Sequence, residues 1–360
     1  MSLFEAVADL PLTIDSVSLR RRCRDTSSGF ERVTTTFRLR GGGELGRGED
    51  VCYEPADHDA LFDDPDAGAP TVAVDFSGAF AGDWTFGEFS SRLDDLDLFP
   101  TKQPERPTAR HYRRWAVESA ALDLALRQSD THLGAVLGRD RDPVRFVAST
   151  RLGTPPSTDR VEALTDRVPG LEFKLDPTRE WTDDVVAALP ADRVRILDFK
   201  ALYDRDDGDV SVEPGADYYG SLLDSFPDAV IEDPGLTEET RPLFDGEEHR
   251  VSWDYPITGV ESVEDLPFEP SWLNVKPSRF GSVESLFDTL EWAADRDVSL
   301  YGGGQFELGV GRSHLHTLAS LFYPDGPNDV APAAYNDPTV PPRLPKPPLA
   351  PSAAPRGLDF

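Results

Sequence analysis

The sequence predicts an α/β protein built on a closed (β/α) barrel. Three features carry that prediction: short apolar runs recur from about residue 145 onward, each is followed by a loop and a stretch of helical pattern, and several end on a charged residue. Strand and helix alternate with a period of roughly 25 residues, the cadence of βα units around a parallel sheet. Seven or eight such units imply a closed barrel, whose chemistry sits at the carboxyl ends of its strands. A doubly wound open sheet is the alternative, but no G-x-G-x-x-G fingerprint follows a strand.

Residues 11–55 alternate apolar and polar positions, as in "TIDSVSL" and "RVTTTFRL", and are broken by "DTSSG" and "GGGELGRGED". This is hairpin chemistry and predicts a small antiparallel sheet, with glycines where φ must be positive. Residues 57–107 are rich in Asp, Pro and Gly and read as loops with one or two short helices. The run "TARHYRRWAVESAALDLALRQSD" then places Trp115, Ala116, Leu122 and Leu126 at helical spacing with charges on the other face. After it come "VRFVAST", "LEFKLDP", "VRILDFK", "AVIEDP", "RVSWDYP", "WLNVKPS" and "VSLYGGG", the expected strands. Eight prolines between Pro338 and Pro355 exclude helix or central strand, so the tail is expected to run extended, packed back on the first domain or mobile. The expected division is 1–107 for an amino-terminal α+β domain, 108–335 for the barrel and 336–360 for the Pro-rich extension.

A net charge of −30 over 360 residues, with 39% apolar content, is too apolar for a disordered chain and far more acidic than usual. Only five lysines stand against 31 arginines, a composition that suggests a salt-adapted (halophilic) protein. The acidic excess is spread along the chain and reads as a solvated surface, which disfavours nucleic acid and anionic membranes as partners. Cys23 and Cys52 are expected to be small buried thiols in a reducing compartment, with no function. The amino terminus lacks a signal-peptide pattern and no run of about 18 apolar residues occurs, so a soluble, cytoplasmic protein is expected.

The strand ends hold the chemistry: Lys174 in "FKLDP", Asp198 in "ILDFK", Glu232 in "VIEDP", Asp254 in "SWDYP" and Lys276 in "NVKPS". Their spacings of 24, 34, 22 and 22 residues each correspond to one βα unit, or one with an insertion. Three carboxylates from adjacent strands, flanked by lysines, would repel one another unless protonated or bound to a cation. Oxygen ligands of that kind suit Mg²⁺. A single Asp at a strand end is more often a loop cap, but lysines placed at strand ends in a lysine-starved chain favour a site.

In order and spacing these motifs resemble the enolase superfamily, closest to its muconate-lactonizing and o-succinylbenzoate synthase-like branch with two barrel lysines. "GRGED" at 46–50 resembles the end of that family's capping-domain hairpin, "AVESAALDLAL" its first barrel helix, and "GGGQFELGVGRSHLHTLASLF" its seventh strand and following helix. The resemblance implies a modified (β/α)7β TIM-type barrel under an α+β capping domain, with Asp198, Glu232 and Asp254 as Mg²⁺ ligands. It implies a lyase or isomerase that takes the α-proton of a small carboxylate substrate through an enediolate: dehydration, cycloisomerisation, or racemisation and epimerisation. Lys174 and Lys276 would be the catalytic pair, the base being shifted down toward about pKa 7 to 8. Asn274 would be a substrate-binding or supporting residue, Glu307 either contacts substrate or a catalytic lysine or forms a loop salt bridge, and homo-oligomers are common among such relatives.

Two positions depart from the branch. "EFK" puts Glu172 where a lysine usually stands, and "DFK" puts Lys200 where an asparagine does. Strand periodicity points Lys200 into the barrel, and Glu172 is its expected salt-bridge partner. His314 and His316, at i and i+2 on a helix, do not face one another and make no shared metal site. Glycines 302–304 either admit an anion against bare backbone or relieve crowding at the barrel mouth. Two other functions remain open: a metal-independent Schiff-base aldolase using Lys200 or Lys174, and a binding protein on a barrel that has lost its chemistry.

Overall fold

The computed structural model of the chain describes residues 1–65, 72–203 and 211–360. The strand β1 (Pro11–Ile14) leads into an antiparallel sheet of β2 (Ser16–Asp25), β3 (Glu31–Gly41) and β4 (Glu44–Asp50), and β5 (Gly82–Thr85) returns to pair with β1. The β3–β4 hairpin turns on Gly42 and Gly43, both at positive φ, the geometry a two-residue hairpin loop requires. One face of β2 is open to solvent, which leaves Cys23 exposed, whereas Cys52 is buried. The expectation of two buried thiols therefore fails at Cys23, because the alternation in "RRRCRD" put charged residues on both faces there and buried neither.

The helix Ala109–Gln128 is buried over most of its length and lies directly on β4. Two glycines of "GRGED" make the approach possible. A Cβ on Gly46 would stand 2.1 Å from the Ala120 carbonyl oxygen, and one on Gly48 would stand 1.9 Å from that of Ala116. No side chain fits between such backbones.

The second layer is a parallel sheet of seven strands in sequential order: β6 (Ala148–Thr150), β7 (Phe173–Leu175), β8 (Val194–Asp198), β9 (Val230–Glu232), β10 (Val251–Trp253), β11 (Trp272–Val275) and β12 (Ser299–Gly302). Residues 328 and 329 join its edges: Val147 N–H donates to the Asn328 carbonyl at 2.9 Å, and Asp329 N–H to that of Gly302 at 2.8 Å. The fold is the α/β arrangement expected, a seven-stranded (β/α) barrel closed by an eighth segment with an antiparallel amino-terminal domain. Helices such as Val283–Ala294 pack outward of the strands, burying Leu286, Phe287, Leu290 and Ala293 at helical spacing.

Inside the barrel, Val147, Ile196, Val230 and Tyr301 form a small separate core. Two residues further along β8 and β9 the same face carries Asp198 and Glu232. Period-two geometry thus makes the lumen apolar at one level and charged one pleat higher. The tail runs over the surface: Leu349 bridges to Val144, and Leu358, 4% exposed, docks with its N–H on Asp123 of the long helix. Among the described residues no helix is long and apolar enough to cross a membrane.

Candidate active site

Lys174, Asp198, Glu232, Asp254 and Lys276 meet at the carboxyl end of the barrel, all 6% exposed or less. Lys174 Nζ donates to Glu232 Oε1 at 2.6 Å and lies 3.1 Å from Asp198 Oδ2. Lys276 Nζ donates to Asp254 Oδ2 at 2.7 Å. Glu232 is further held by Tyr301 Oη at 2.6 Å and Asn274 Nδ2 at 3.2 Å. Asn274 thus reaches the cluster through Glu232. The bare backbone of Gly303 leaves room for it, since a Cβ there would stand 2.3 Å from Asn274 Oδ1 and 2.7 Å from Lys276 Cε. Of the two readings of the glycine run, relief of crowding is the one seen at Gly303.

The carboxylates are not equivalent. Oxygens of Asp198, Glu232 and Asp233 lie within 4.8 Å of one another. Asp254 stands two residues past Ser252, which is level with Glu232, so it sits a pleat higher, roughly 7 Å along the strand direction. Its Oδ1 is buried without a hydrogen-bond partner among the described residues. Asp233, which the sequence reading missed, has a left-handed φ of 48° and accepts the backbone N–H groups of Asp254 and Tyr255, each at 2.9 Å. It sets the chain direction at the Asp254 strand end, and its signal was plain: a second carboxylate next to Glu232 in "IEDP".

Electrostatics follow from burial and pairing. Burial pushes the Lys174 ammonium pKa down, but Asp198 and Glu232 more than reverse this, and it ends well above the usual lysine range. Lys276 likewise ends raised, through Asp254. The expected downward shift of a lysine is therefore reversed in this arrangement, because each ammonium touches a carboxylate. Burial raises Asp254, yet Arg279 and Lys276 bring it down to about 2. Glu232 is pushed well up by burial and by the neighbouring charge of Asp198. Asp233 rises to about 7 for the same reasons, burial first and then Asp254 and Asp198.

Lys200 and Glu172 do not pair. Lys200 Nζ lies 2.5 Å from Asp198 Oδ2 and 3.6 Å from Asp176, whereas Glu172 bonds Arg195 at 2.8 Å and faces Arg145 at 3.9 Å. β8 ends at Asp198, and Lys200 has a φ of 49°, so strand periodicity no longer governs its direction. Glu172 precedes β7 at the opposite end of the barrel, several residues below the Lys200 level in register. Glu307 forms a loop salt bridge: Oε1 accepts the Gln305 N–H at 2.7 Å and Oε2 faces Arg312 at 3.3 Å. His314 and His316 are buried in the helix Val310–Phe322, and His316 Nε2 bonds the Val330 carbonyl.

Over the cluster lies a cavity of about 310 Å³, roofed by the amino-terminal domain at Phe30, Tyr53 and Arg106 and floored by Lys174, Lys200 and Lys276. Arg279 also lines it, 7% exposed, with Nη2 3.4 Å from Asp254 and 3.1 Å from Tyr203 Oη. The short helix Pro277–Phe280 folds this arginine back onto the site from "KPSRF", a return that strand-end spacing does not reveal.

Two family models match the sequence: the C-terminal domain of the domain of unknown function DUF8230 over residues 140–337, and its N-terminal domain over residues 5–136. No curated protein matches. Solved structures with a similar fold include the dipeptide epimerase from Enterococcus faecalis V583, at 14% identity and a TM-score of 0.65, covering 92% of this chain and 93% of that one. The dipeptide epimerase from Methylococcus capsulatus, solved with Mg and the dipeptide L-Arg-D-Lys, matches at 19% identity and 0.60, covering 86% and 88%. The muconate lactonizing enzyme from Pseudomonas putida matches at 17% identity and 0.59, covering 88% of each chain. These likenesses establish an enolase-superfamily fold.

Proposed function

The chain belongs to the DUF8230 family, on an enolase-superfamily fold, and from that premise we propose that it is a Mg²⁺-dependent lyase or isomerase that removes the α-proton of a carboxylate substrate. The observation that supports this reading is the arrangement of Lys174 and Lys276, each hydrogen-bonded to a different carboxylate of one buried cluster and each lining one cavity.

Asp198, Glu232 and Asp254 offer hard oxygen donors at the ends of three neighbouring strands, a chemistry that suits Mg²⁺: Asp198 and Glu232 oxygens lie within 4.8 Å of each other, and Asp254 Oδ1 is a buried acceptor with no partner among the described residues. These three would hold Mg²⁺, which when bound supplies positive charge to the substrate carboxylate as its α-carbon loses a proton. Lys174 and Lys276 would flank that carbon: one takes the proton, and the other stabilises the enediolate or returns a proton. Asp233 keeps Asp254 in place through two backbone hydrogen bonds. Tyr301 and Asn274 fix the rotamer of Glu232 from below. The roof formed by the amino-terminal domain excludes bulk water from the lysines. A Schiff-base aldolase would need Lys174 or Lys200 as a neutral amine, the same deprotonation that the α-proton base needs, and borohydride trapping distinguishes the two.

The test is deuterium incorporation from D₂O at the α-carbon across a panel of carboxylates. Exchange that requires Mg²⁺ and stops with chelator is the expected result. Exchange indifferent to chelator, or borohydride trapping of a lysine adduct, would overturn the proposal.

A further inference from the structure

Asp198 is neutralised twice over. Its Oδ2 faces Lys200 Nζ at 2.5 Å and Lys174 Nζ at 3.1 Å, and its Oδ1 accepts the Lys200 backbone N–H at 3.2 Å. A cation that takes this carboxylate displaces an ammonium, and an ammonium in a buried site needs another carboxylate to go to. Lys174 already has one, Glu232 at 2.6 Å. For Lys200 the carboxylate within reach is Asp176.

Asp176 follows β7 as Asp198 ends β8, and the pairing of Leu175 with Leu197 sets the two acids side by side at the ends of adjacent strands. Lys200 Nζ stands 3.6 Å from Asp176 Oδ2, beyond hydrogen-bond length, and each of the two side chains is 13% exposed. Asp176 Oδ2 is taken by Arg151 Nε at 2.9 Å, but Oδ1 is buried with no hydrogen-bond partner among the described residues. Buried polar oxygens are seldom left unpaired in folded proteins, so this one points to a donor that arrives in another state. A shortening of about 0.8 Å would bring the Lys200 ammonium to charge-assisted hydrogen-bond length of Asp176.

The local chain is arranged for a side-chain movement. Lys200 holds a φ of 49°, a conformation rare outside glycine that is kept where the surroundings impose it and that clusters at functional sites. The N–H bond to Asp198 anchors its backbone, while the flexible four-carbon side chain lies on the cavity floor with room to turn. The ring of Tyr203, 5.4 Å from Nζ and also at the cavity wall, gives the ammonium an attractive neighbour besides the two acids.

We infer that Lys200 is an exchangeable counter-ion, which gives up Asp198 to Mg²⁺ and passes to Asp176. Asp176 is then a positioning residue for metal binding without being a ligand, and no acid of the pair is left without a cation at any stage. This rests on the metal reading above and extends it to the way the site exchanges charge.

Calorimetric titration of the full chain with Mg²⁺ tests the exchange in the wild type, Asp176→Asn, Lys200→Asn and the double variant. Asp176→Asn should weaken Mg²⁺ binding about tenfold when Lys200 is present and less than about threefold when it is replaced, so that Lys200→Asn rescues the loss. An equal or larger loss without Lys200 would mean that Asp176 acts on the metal through its own charge, and no loss in either background that Lys200 needs no second carboxylate; each overturns the inference. A second reading does not depend on the folding of Asp176→Asn. The chain has five lysines, so ¹³C-lysine labelling gives a short spectrum in which the Lys200 signal is the one that Lys200→Asn removes. That signal should shift on saturation of the wild type with Mg²⁺. A signal unmoved at saturation would overturn the exchange and leave the metal reading standing, whereas no Mg²⁺ binding in either the wild type or Lys200→Asn would bring down both.

Discussion

Lys200 brings a positive charge to the carboxylate cluster from just beyond a strand end, 2.5 Å from Asp198. A cation there competes with a metal ion for the same oxygen. Lys200→Asn should therefore tighten Mg²⁺ binding by roughly tenfold, read by calorimetry, the scale of ~1.4 kcal/mol. Unchanged or weaker binding would mean that Lys200 swings clear at no cost. Glu172→Gln should leave Mg²⁺ affinity alone and cost less than about 1 kcal/mol in urea unfolding, because the partly exposed Glu172 pairs with Arg195 and faces Arg145 at the other end of the barrel. The five strand-end residues were readable because alternation and spacing both hold while a strand lasts. Lys200 and Arg279 were not, because each lies past its strand, where a left-handed residue or a four-residue helix resets the direction. Glu172 was misread for a related reason: the register shift at Phe173/Lys174 leaves Arg195 at its side, and a one-dimensional pattern does not show cross-strand partners.

Among the elements, the contact of β4 with the helix Ala109–Gln128 brings two backbones into direct contact. Glu49, fully buried on β4, also accepts the N–H groups of Leu308, Gly309 and Gly311 at the start of the helix Val310–Phe322. The "GRGED" segment therefore ties the roof of the cavity to the helix Ala109–Gln128 and to the start of the helix Val310–Phe322 at once. Gly48→Ala forces a methyl group onto a carbonyl oxygen and should destabilise by about 2–3 kcal/mol, measured as a lower urea midpoint at unchanged slope. A midpoint unaffected by the substitution would show that the helix can move away. The helix itself was legible from apolar spacing and the hairpin from its glycines. What those glycines are for was not, since close approach of backbones depends on a helix some 70 residues away.

For the whole molecule, an acidic chain encloses histidines that charge poorly. Burial, followed by the nearby Arg47, lowers His314 to about 3 despite Asp359, and burial lowers His316 to about 4. The unfolded chain, with histidine near 6.5, takes up these protons first. The stability contributed by keeping each ring neutral is thus complete above pH ~6.5 and is lost as pH falls toward the folded values. The difference in unfolding free energy between wild type and His314→Asn should change by about 1.4 kcal/mol per pH unit between pH ~6 and ~4, with the wild type losing ground on acidification. A difference that does not vary with pH would show that His314 titrates freely. The composition showed the acidic surface, but only the packing of the Val310–Phe322 helix against the tail shows which histidines are sealed.

The central claim is that Lys174 and Lys276 act on one α-carbon. It is tested most directly by following α-proton exchange in D₂O with Mg²⁺ for the wild type, Lys174→Ala and Lys276→Ala on an enantiomerically pure carboxylate that exchanges in the panel. The account predicts exchange by the wild type, and a loss of about 10²–10⁴-fold in whichever variant lacks the base for that enantiomer. Exchange at the wild-type rate in both variants would contradict it.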